Sequence, residues 1–134
     1  MSYSTEKLKY LFIVVPLNMV GKEEILLSNI QEYFSSAEQS LREKRNNVAA
    51  TLFFKAICAA IDLFLFQKEG VVPSSHTDRF RIVQQKYPEI YDLLDRDFPF
   101  YQNSYSQKMS LEAVEVLKED AQKITARIKR REKR

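Results

Sequence analysis

The chain has few of the residues that build turns, disulfides and metal sites. Among its 134 residues are only two glycines, one cysteine and one histidine. Two glycines argue against a turn-rich β architecture, because hairpin turns use glycine for its positive φ angle. They also cannot supply a glycine-rich phosphate loop or a dinucleotide fingerprint. One cysteine and one histidine cannot form a zinc cluster, so no metal and no cofactor is expected.

The single cysteine has no partner for a disulfide within the chain. Cys58 lies in an apolar run, which favours an inert thiol and a reducing, cytoplasmic compartment. The apolar run Leu11 to Val15 ends at Pro16 and is far shorter than the roughly 20 residues needed to span a bilayer. The sequence therefore predicts one cytoplasmic domain over residues 1–134, with no membrane contact.

The net charge of +3 comes from the C-terminal end. Residues 118–134 contain eight basic and three acidic side chains, so the rest of the chain is slightly acidic. Such a tail is able to contact a phosphate backbone, but it is equally typical of a solvated helix end. Both interpretations stay open for the basic side chains of the tail, which are Lys129, Arg130, Arg131, Lys133 and Arg134.

Apolar spacing of three and four residues predicts a first helix from about Lys22 to Arg45. The second, from about Asn47 to Lys68, is apolar on nearly every side and is predicted to be central. Its polar residues share one narrow stripe, which indicates a solvent-facing seam or a subunit contact, and less often a ligand site. The stripe consists of Thr51, Lys55, Cys58 and Asp62.

Local signals divide the second half of the chain. Gly70 predicts the end of the second helix, and Ser75 with Asp78 has the spacing of a capping box that begins a third. Pro88 suits the first position of a fourth helix, whereas Pro99 predicts its end and a loop over residues 99–109.

Ser110 is expected to cap a final helix. Its narrow apolar seam packs on its own core or on a second copy, and residues 1–20 fit a strand or a buried arm equally well. The fold class is therefore an all-α antiparallel bundle of four to five helices with a short N-terminal extended segment. The seam consists of Val114, Leu117, Ala121, Ile124 and Ile128.

Several polar residues of the third and fourth helices have a structural and a functional interpretation. His76 lies in a first helical turn, where a histidine more often neighbours a cap than acts in catalysis. Arg96 and Tyr101 flank Pro99, where packing and capping are the common roles. The acidic residues of the fourth helix are expected to be ordinary surface charges; they are Asp92, Asp95 and Asp97.

From Asn46 onward the order of signals resembles the HEPN family. The passage Asn46 to Ala56 is similar to that family's long second helix. The Glu69-Gly70 stop followed by Pro73-Ser74-Ser75-His76 is similar to its short loop ending in Ser-His, and Tyr91 to Arg96 with Tyr105 resembles the closing segment. The resemblance covers about residues 22–128 and implies an antiparallel, commonly dimeric helical bundle.

Active HEPN members are metal-independent ribonucleases that use an arginine, four to six intervening residues and a histidine. Here His76 would need an arginine at position 69, 70 or 71, and none is present. Arg96 is followed at the matching distance by Tyr101. Because a phenol with a pKa near 10 cannot exchange a proton at neutral pH as imidazole does, the resemblance implies an inactive member.

Two functions follow from these observations. The first is a non-catalytic binding module for RNA, a nucleotide or a protein partner, such as a small nucleotidyltransferase in a toxin–antitoxin-like system. The second is a divergent ribonuclease that uses Arg96 and Tyr101. A homodimer is expected, because the seam, the polar stripe and the N-terminal segment each lack a partner. The candidate binding residues are Lys55, Asp62, His76, Arg79, Arg96, Tyr101 and Tyr105.

Overall fold

The computed structural model describes residues 21–129 and contains five helices within them. The predicted all-α bundle is confirmed, and no strand occurs in this part of the chain. The N-terminal arm (residues 1–20) and most of the basic tail (residues 130–134) lie outside the described residues. The helices are α1 (Lys22–Arg42), α2 (Asn46–Glu69), α3 (His76–Lys86), α4 (Pro88–Asn103) and α5 (Leu111–Ala126).

Most helix ends follow from the local signals in the sequence. Gly70 adopts a left-handed conformation (φ 74°) at the end of α2, as its missing side chain allows. The hydroxyl of Ser75 accepts a hydrogen bond from the Asp78 amide (3.1 Å), and Ser110 caps α5 in the same way. The Asp78 carboxylate accepts from the amide of Ser74 (3.1 Å), one residue earlier than a regular capping box requires.

Helix α2 is the centre of the bundle, as its composition predicts. It packs against α1, α5 and α4, and fourteen of its residues are buried. By length and mean hydropathy (2.0) it would also be able to cross a membrane, but 78% of its most apolar window is buried inside the protein. The helix is therefore accounted for as the core of the bundle.

Polar contacts at the two ends of α2 give the direction of its neighbours. Gln67 near the end of α2 donates to Glu23 near the start of α1 (3.0 Å), so these helices are antiparallel. Asn46 at the start of α2 donates to the Met109 carbonyl (3.2 Å), just before α5, so α5 runs parallel to α2. At this end Asn47 also donates to a carbonyl just after α4, so α4 is antiparallel to α2.

The apolar seam of α5 packs on the core of its own chain. All five of its residues are buried, mainly against α2, which contacts α5 extensively. The seam is therefore not free to bind a second copy, which removes one of the three reasons for expecting a homodimer. Its members are Val114, Leu117, Ala121, Ile124 and Ile128.

The prediction that Pro99 ends the fourth helix is wrong. Helix α4 continues through Pro99 to Asn103, so only residues 104–110 form the loop. Proline removes the hydrogen bond to the carbonyl four residues earlier, which belongs to Asp95. Because Asp95 and Pro99 are both exposed, water can hydrate that carbonyl, while Phe98 and Tyr101 hold the helix against the rest of the bundle.

Candidate functional site

The polar stripe of α2 is largely covered by the protein itself. Asp62 and Cys58 are buried, Thr51 is half-buried, and only Lys55 is exposed. The interpretation of the whole stripe as a solvent-facing seam or a subunit contact is therefore wrong. Burial raises the pKa of the Cys58 thiol to about 12, which agrees with the inert thiol expected from its neighbours.

A buried ion pair joins the stripe to α3. The Arg79 guanidinium donates from Nε to Asp62 Oδ1 (2.8 Å) and from Nη2 to Asp62 Oδ2 (3.0 Å). This two-point contact fixes the plane of the guanidinium, and both side chains are buried. The pair therefore holds α3 against α2 and determines where the remaining Arg79 nitrogen points.

That remaining nitrogen determines the state of His76. Arg79 Nη1 lies 3.0 Å from His76 Nδ1. A guanidinium has only donors, so Nδ1 accepts and the imidazole proton is on Nε2. Burial, followed by the positive charges of Arg79 and Lys55, lowers the pKa of His76, so the ring is neutral at neutral pH. Neither ring nitrogen then has a free lone pair for accepting a proton.

Aromatic rings continue the surface from His76 toward the end of α4. Tyr101 stacks on Phe54 of α2, with ring centroids 4.7 Å apart, and its centroid is 6.0 Å from that of His76. The Tyr101 and Tyr105 hydroxyls are 2.7 Å apart, and this hydrogen bond raises the pKa of Tyr101 to about 12. Tyr105 itself is 75% exposed.

Four of the predicted binding residues therefore share one surface, which we call the tyrosine face: Lys55, His76, Tyr101 and Tyr105. Beneath it, the Asp62–Arg79 pair orients His76. Lys55 forms no ion pair with any residue between 21 and 129, so its charge is available to a ligand. The face thus presents one cation, one Nε2 donor and one exposed aromatic ring.

Arg96 lies apart from the tyrosine face. Its guanidinium donates to Asp120 on α5 and, at 3.3 Å, to Asp97. Five residues along a helix correspond to a rotation of about 140°, which is why Arg96 faces α5 while Tyr101 faces α2. The structure thus brings together six of the predicted binding residues, including the buried Asp62 and Arg79, and separates Arg96 from them.

The expectation that Asp97 is a surface charge is wrong, although Asp92 and Asp95 are exposed as expected. Asp97 is fully buried beside the buried Asp120, and no hydrogen-bond donor in the described part of the chain reaches its Oδ2. Burial and the neighbouring Asp120 carboxylate raise the pKa of Asp97 to about 8. The raised pKa favours the protonated form of Asp97 at neutral pH, in which its carboxyl can share a hydrogen bond with the Asp120 carboxylate.

Within the described residues, no three His, Cys, Asp or Glu side chains form a group that could hold a metal ion. No protein-family model, curated protein or solved structure matches the chain. The HEPN resemblance therefore stays a prediction that rests on the residues quoted from the sequence.

Proposed function

We propose that the chain is a cytoplasmic, non-catalytic HEPN-like module that binds single-stranded RNA or a nucleotide at the tyrosine face. The observation that carries the proposal is the 75% exposed Tyr105 ring, which is joined through Tyr101 to His76, together with the exposed Lys55, whose charge acts on His76 and which has no ion pair within residues 21–129. Single-stranded nucleic acids are bound by aromatic rings that stack on bases and by cations that contact phosphates. The Nε2–H of His76 adds a neutral donor, suited to a base edge or a phosphate oxygen.

The absence of a usable proton carrier supports binding over catalysis. Cleavage of RNA through its 2′-hydroxyl needs a group that exchanges a proton near neutral pH. On the tyrosine face, His76 Nδ1 accepts from Arg79 and Nε2 carries the ring proton, so neither nitrogen is free to accept a proton, and the pKa of Tyr101 is about 12. The nearby Cys58 thiol is buried and protonated. Because Arg96 faces α5, the alternative of a divergent ribonuclease that uses Arg96 and Tyr101 has no support from this geometry.

The proposal is tested by the binding of a fluorescent oligouridylate, measured by anisotropy. Stacking of one base contributes about 1–3 kcal/mol, so Tyr105→Ala should weaken binding by about 5- to 150-fold. Tyr105→Phe keeps the ring and should bind as the natural protein does. Lys55→Ala should weaken binding and reduce the slope of log affinity against log salt by about one unit, because one phosphate contact is lost.

Lys68→Ala is the matched control, since Lys68 is an exposed lysine on the same helix, about 20 Å further along it. It should change neither the affinity nor the salt dependence. Equal affinity of the natural protein, Tyr105→Ala and Lys55→Ala would contradict the proposal. Loss of a co-purifying protein from Tyr105→Ala, without any RNA binding by the natural protein, would favour the protein-partner interpretation instead.

A further inference from the structure

A basic cleft adjoins the tyrosine face at Tyr105. It lies between the α1–α2 turn and the loop that precedes α5, and its volume is about 560 Å³. Three cationic side chains line it, and no acidic side chain does. We call it the basic cleft, and its charged residues are Lys44, Arg45 and Lys108.

The loop that carries Lys108 is fixed to the start of α2. Asn47 donates from Nδ2 to the carbonyls of Ser104 (2.9 Å) and Gln107 (2.6 Å), while its Oδ1 accepts from the Met109 amide (2.9 Å). One amide side chain thus contacts the loop at three points. These three hydrogen bonds fix this wall of the cleft, which lowers the cost of ordering the loop on binding.

The opposite wall holds Lys44 in an uncommon backbone conformation. Lys44 has φ 61° and is the only non-glycine residue with a positive φ in the described part of the chain. For an ordinary side chain this conformation costs roughly 1–2 kcal/mol relative to the right-handed region, and glycine avoids this penalty. Lys44 makes no ion pair within residues 21–129, nor does Lys108, so both charges are available.

The backbone adds further donors at the same place. Asn46, Asn47 and Val48 line the cleft and form the first turn of α2, whose amides have no partner within the helix. No side chain caps this end of α2, and its first turn contains no acidic residue. The positive end of the helix dipole therefore adds to the charges of the lining side chains.

From this combination we infer that the basic cleft binds a phosphate group of the ligand whose base contacts Tyr105. The inference rests on the proposed function and extends it from the tyrosine face to a second subsite. Tyr105 lines the cleft and belongs to the face, so one nucleotide is able to reach both. The chemistry is that of a phosphate monoester or diester, and the source is a free nucleotide or an RNA strand.

Lys44→Gly separates binding from folding, because glycine removes the charge and suits the positive φ. The variant should unfold at the same or a higher temperature, yet bind oligouridylate about 5- to 10-fold more weakly. Its salt slope should fall by about one unit, as expected for one lost phosphate contact. Lys108→Ala should weaken binding similarly. The matched control is Lys22→Ala, at the far end of α1 and about 30 Å from Arg42, which should bind as the natural protein does.

Amide chemical shifts test the subsite without relying on RNA affinity. Titration with uridine monophosphate should shift the amides of residues 44–48 and 105–108, whereas uridine, which lacks the phosphate, should leave the amides of residues 44–48 unshifted. If a 5′-phosphorylated oligouridylate binds more strongly than an unphosphorylated one, the cleft binds a terminal phosphate monoester. If the two bind equally, the cleft binds a phosphodiester of the backbone.

Two outcomes separate the inference from the proposed function. If RNA affinity falls in Tyr105→Ala but is unchanged in Lys44→Gly and Lys108→Ala, phosphate binding in the basic cleft is refuted. RNA binding at the tyrosine face is then still supported. If the natural protein binds no RNA but uridine monophosphate shifts the cleft amides, RNA binding fails while the phosphate subsite stands. Unchanged amide shifts at residues 44–48 would overturn the subsite directly.

Discussion

The buried carboxyl pair between α4 and α5 makes the stability of the protein depend on pH. In the folded state Asp97 is fully buried beside Asp120, and its pKa is raised from 3.8 to about 8. In the unfolded chain the same carboxyl loses its proton near pH 4. Between these values the folded state holds one more proton than the unfolded state, so the free energy of unfolding must fall as the pH rises.

The size of the effect follows from the shift. Each pKa unit corresponds to about 1.4 kcal/mol, so a change from 3.8 to about 8 sets a ceiling of roughly 5–6 kcal/mol. Rearrangement and water entry around the new charge reduce the measured loss to the order of a few kcal/mol. Stability from the Asp97 carboxyl is fully present near pH 4 and is lost as the pH approaches 8.

Asp97→Asn tests this reasoning, because the amide keeps the shape of the protonated carboxyl and still donates toward Asp120 but cannot ionise. Urea unfolding followed by circular dichroism at pH 5, 6, 7 and 8 gives the free energy of unfolding. The difference between variant and natural protein should grow in favour of Asp97→Asn by up to about 1.4 kcal/mol per pH unit. Asp95→Asn, on the exposed side of α4, is the control and should follow the natural profile. Parallel profiles for the natural protein and Asp97→Asn would refute the shared proton.

Three further outcomes are expected. Sedimentation at micromolar concentration should show a homodimer, although neither the α5 seam nor the largely covered polar stripe of α2 supports it any longer. A monomer would contradict that prediction. Removal of residues 130–134, which deletes four basic side chains and one acidic one, should weaken RNA binding and flatten its salt dependence, while the Lys129 backbone keeps its hydrogen bonds to Gln67. If the slope of log affinity against log salt is unchanged, the tail does not contact RNA and is a solvated helix end. The natural protein should not cut single-stranded RNA. Tyr101→His should not gain cleavage either, because Asp120 binds Arg96 on the other side of α4. Metal-independent cleavage by the natural protein that Arg96→Ala abolishes would contradict the first prediction.

Signals that act over a few residues predicted most of the fold. Helix α2 was predicted to be central because its side chains are apolar on nearly every side. The helix ends were predicted from contacts within one helical turn, namely the left-handed Gly70 and the capping hydroxyls of Ser75 and Ser110. Pro99 is also a local signal, but the apolar contacts of Phe98 and Tyr101 on either side of it outweigh the one hydrogen bond that it removes.

The candidate site was only partly predictable, because its members come from separate segments. Asp97 lies three residues after the buried Leu94, on the buried face of α4, and this spacing was the available signal for its burial. Its neighbour Asp120 is on another helix, so no spacing along the chain links the two carboxyls. The basic cleft is similar: Lys44 and Lys108 are 64 positions apart, and their segments are brought together by the side chains of Asn46 and Asn47.

Spacing along the sequence also did not predict which side chains lie together in the site. Arg96 and Tyr101 have the separation of the arginine and histidine used by active HEPN ribonucleases, yet they face different helices. His76 contacts a different arginine, Arg79, whose orientation is fixed from within the core by Asp62. That chain of contacts sets the proton on Nε2 and turns the only histidine of the molecule into a hydrogen-bond donor. Of the residues that suggested acid–base chemistry, Arg96 therefore lies against α5, while His76 and Tyr101 lie together without a group that accepts a proton near neutral pH.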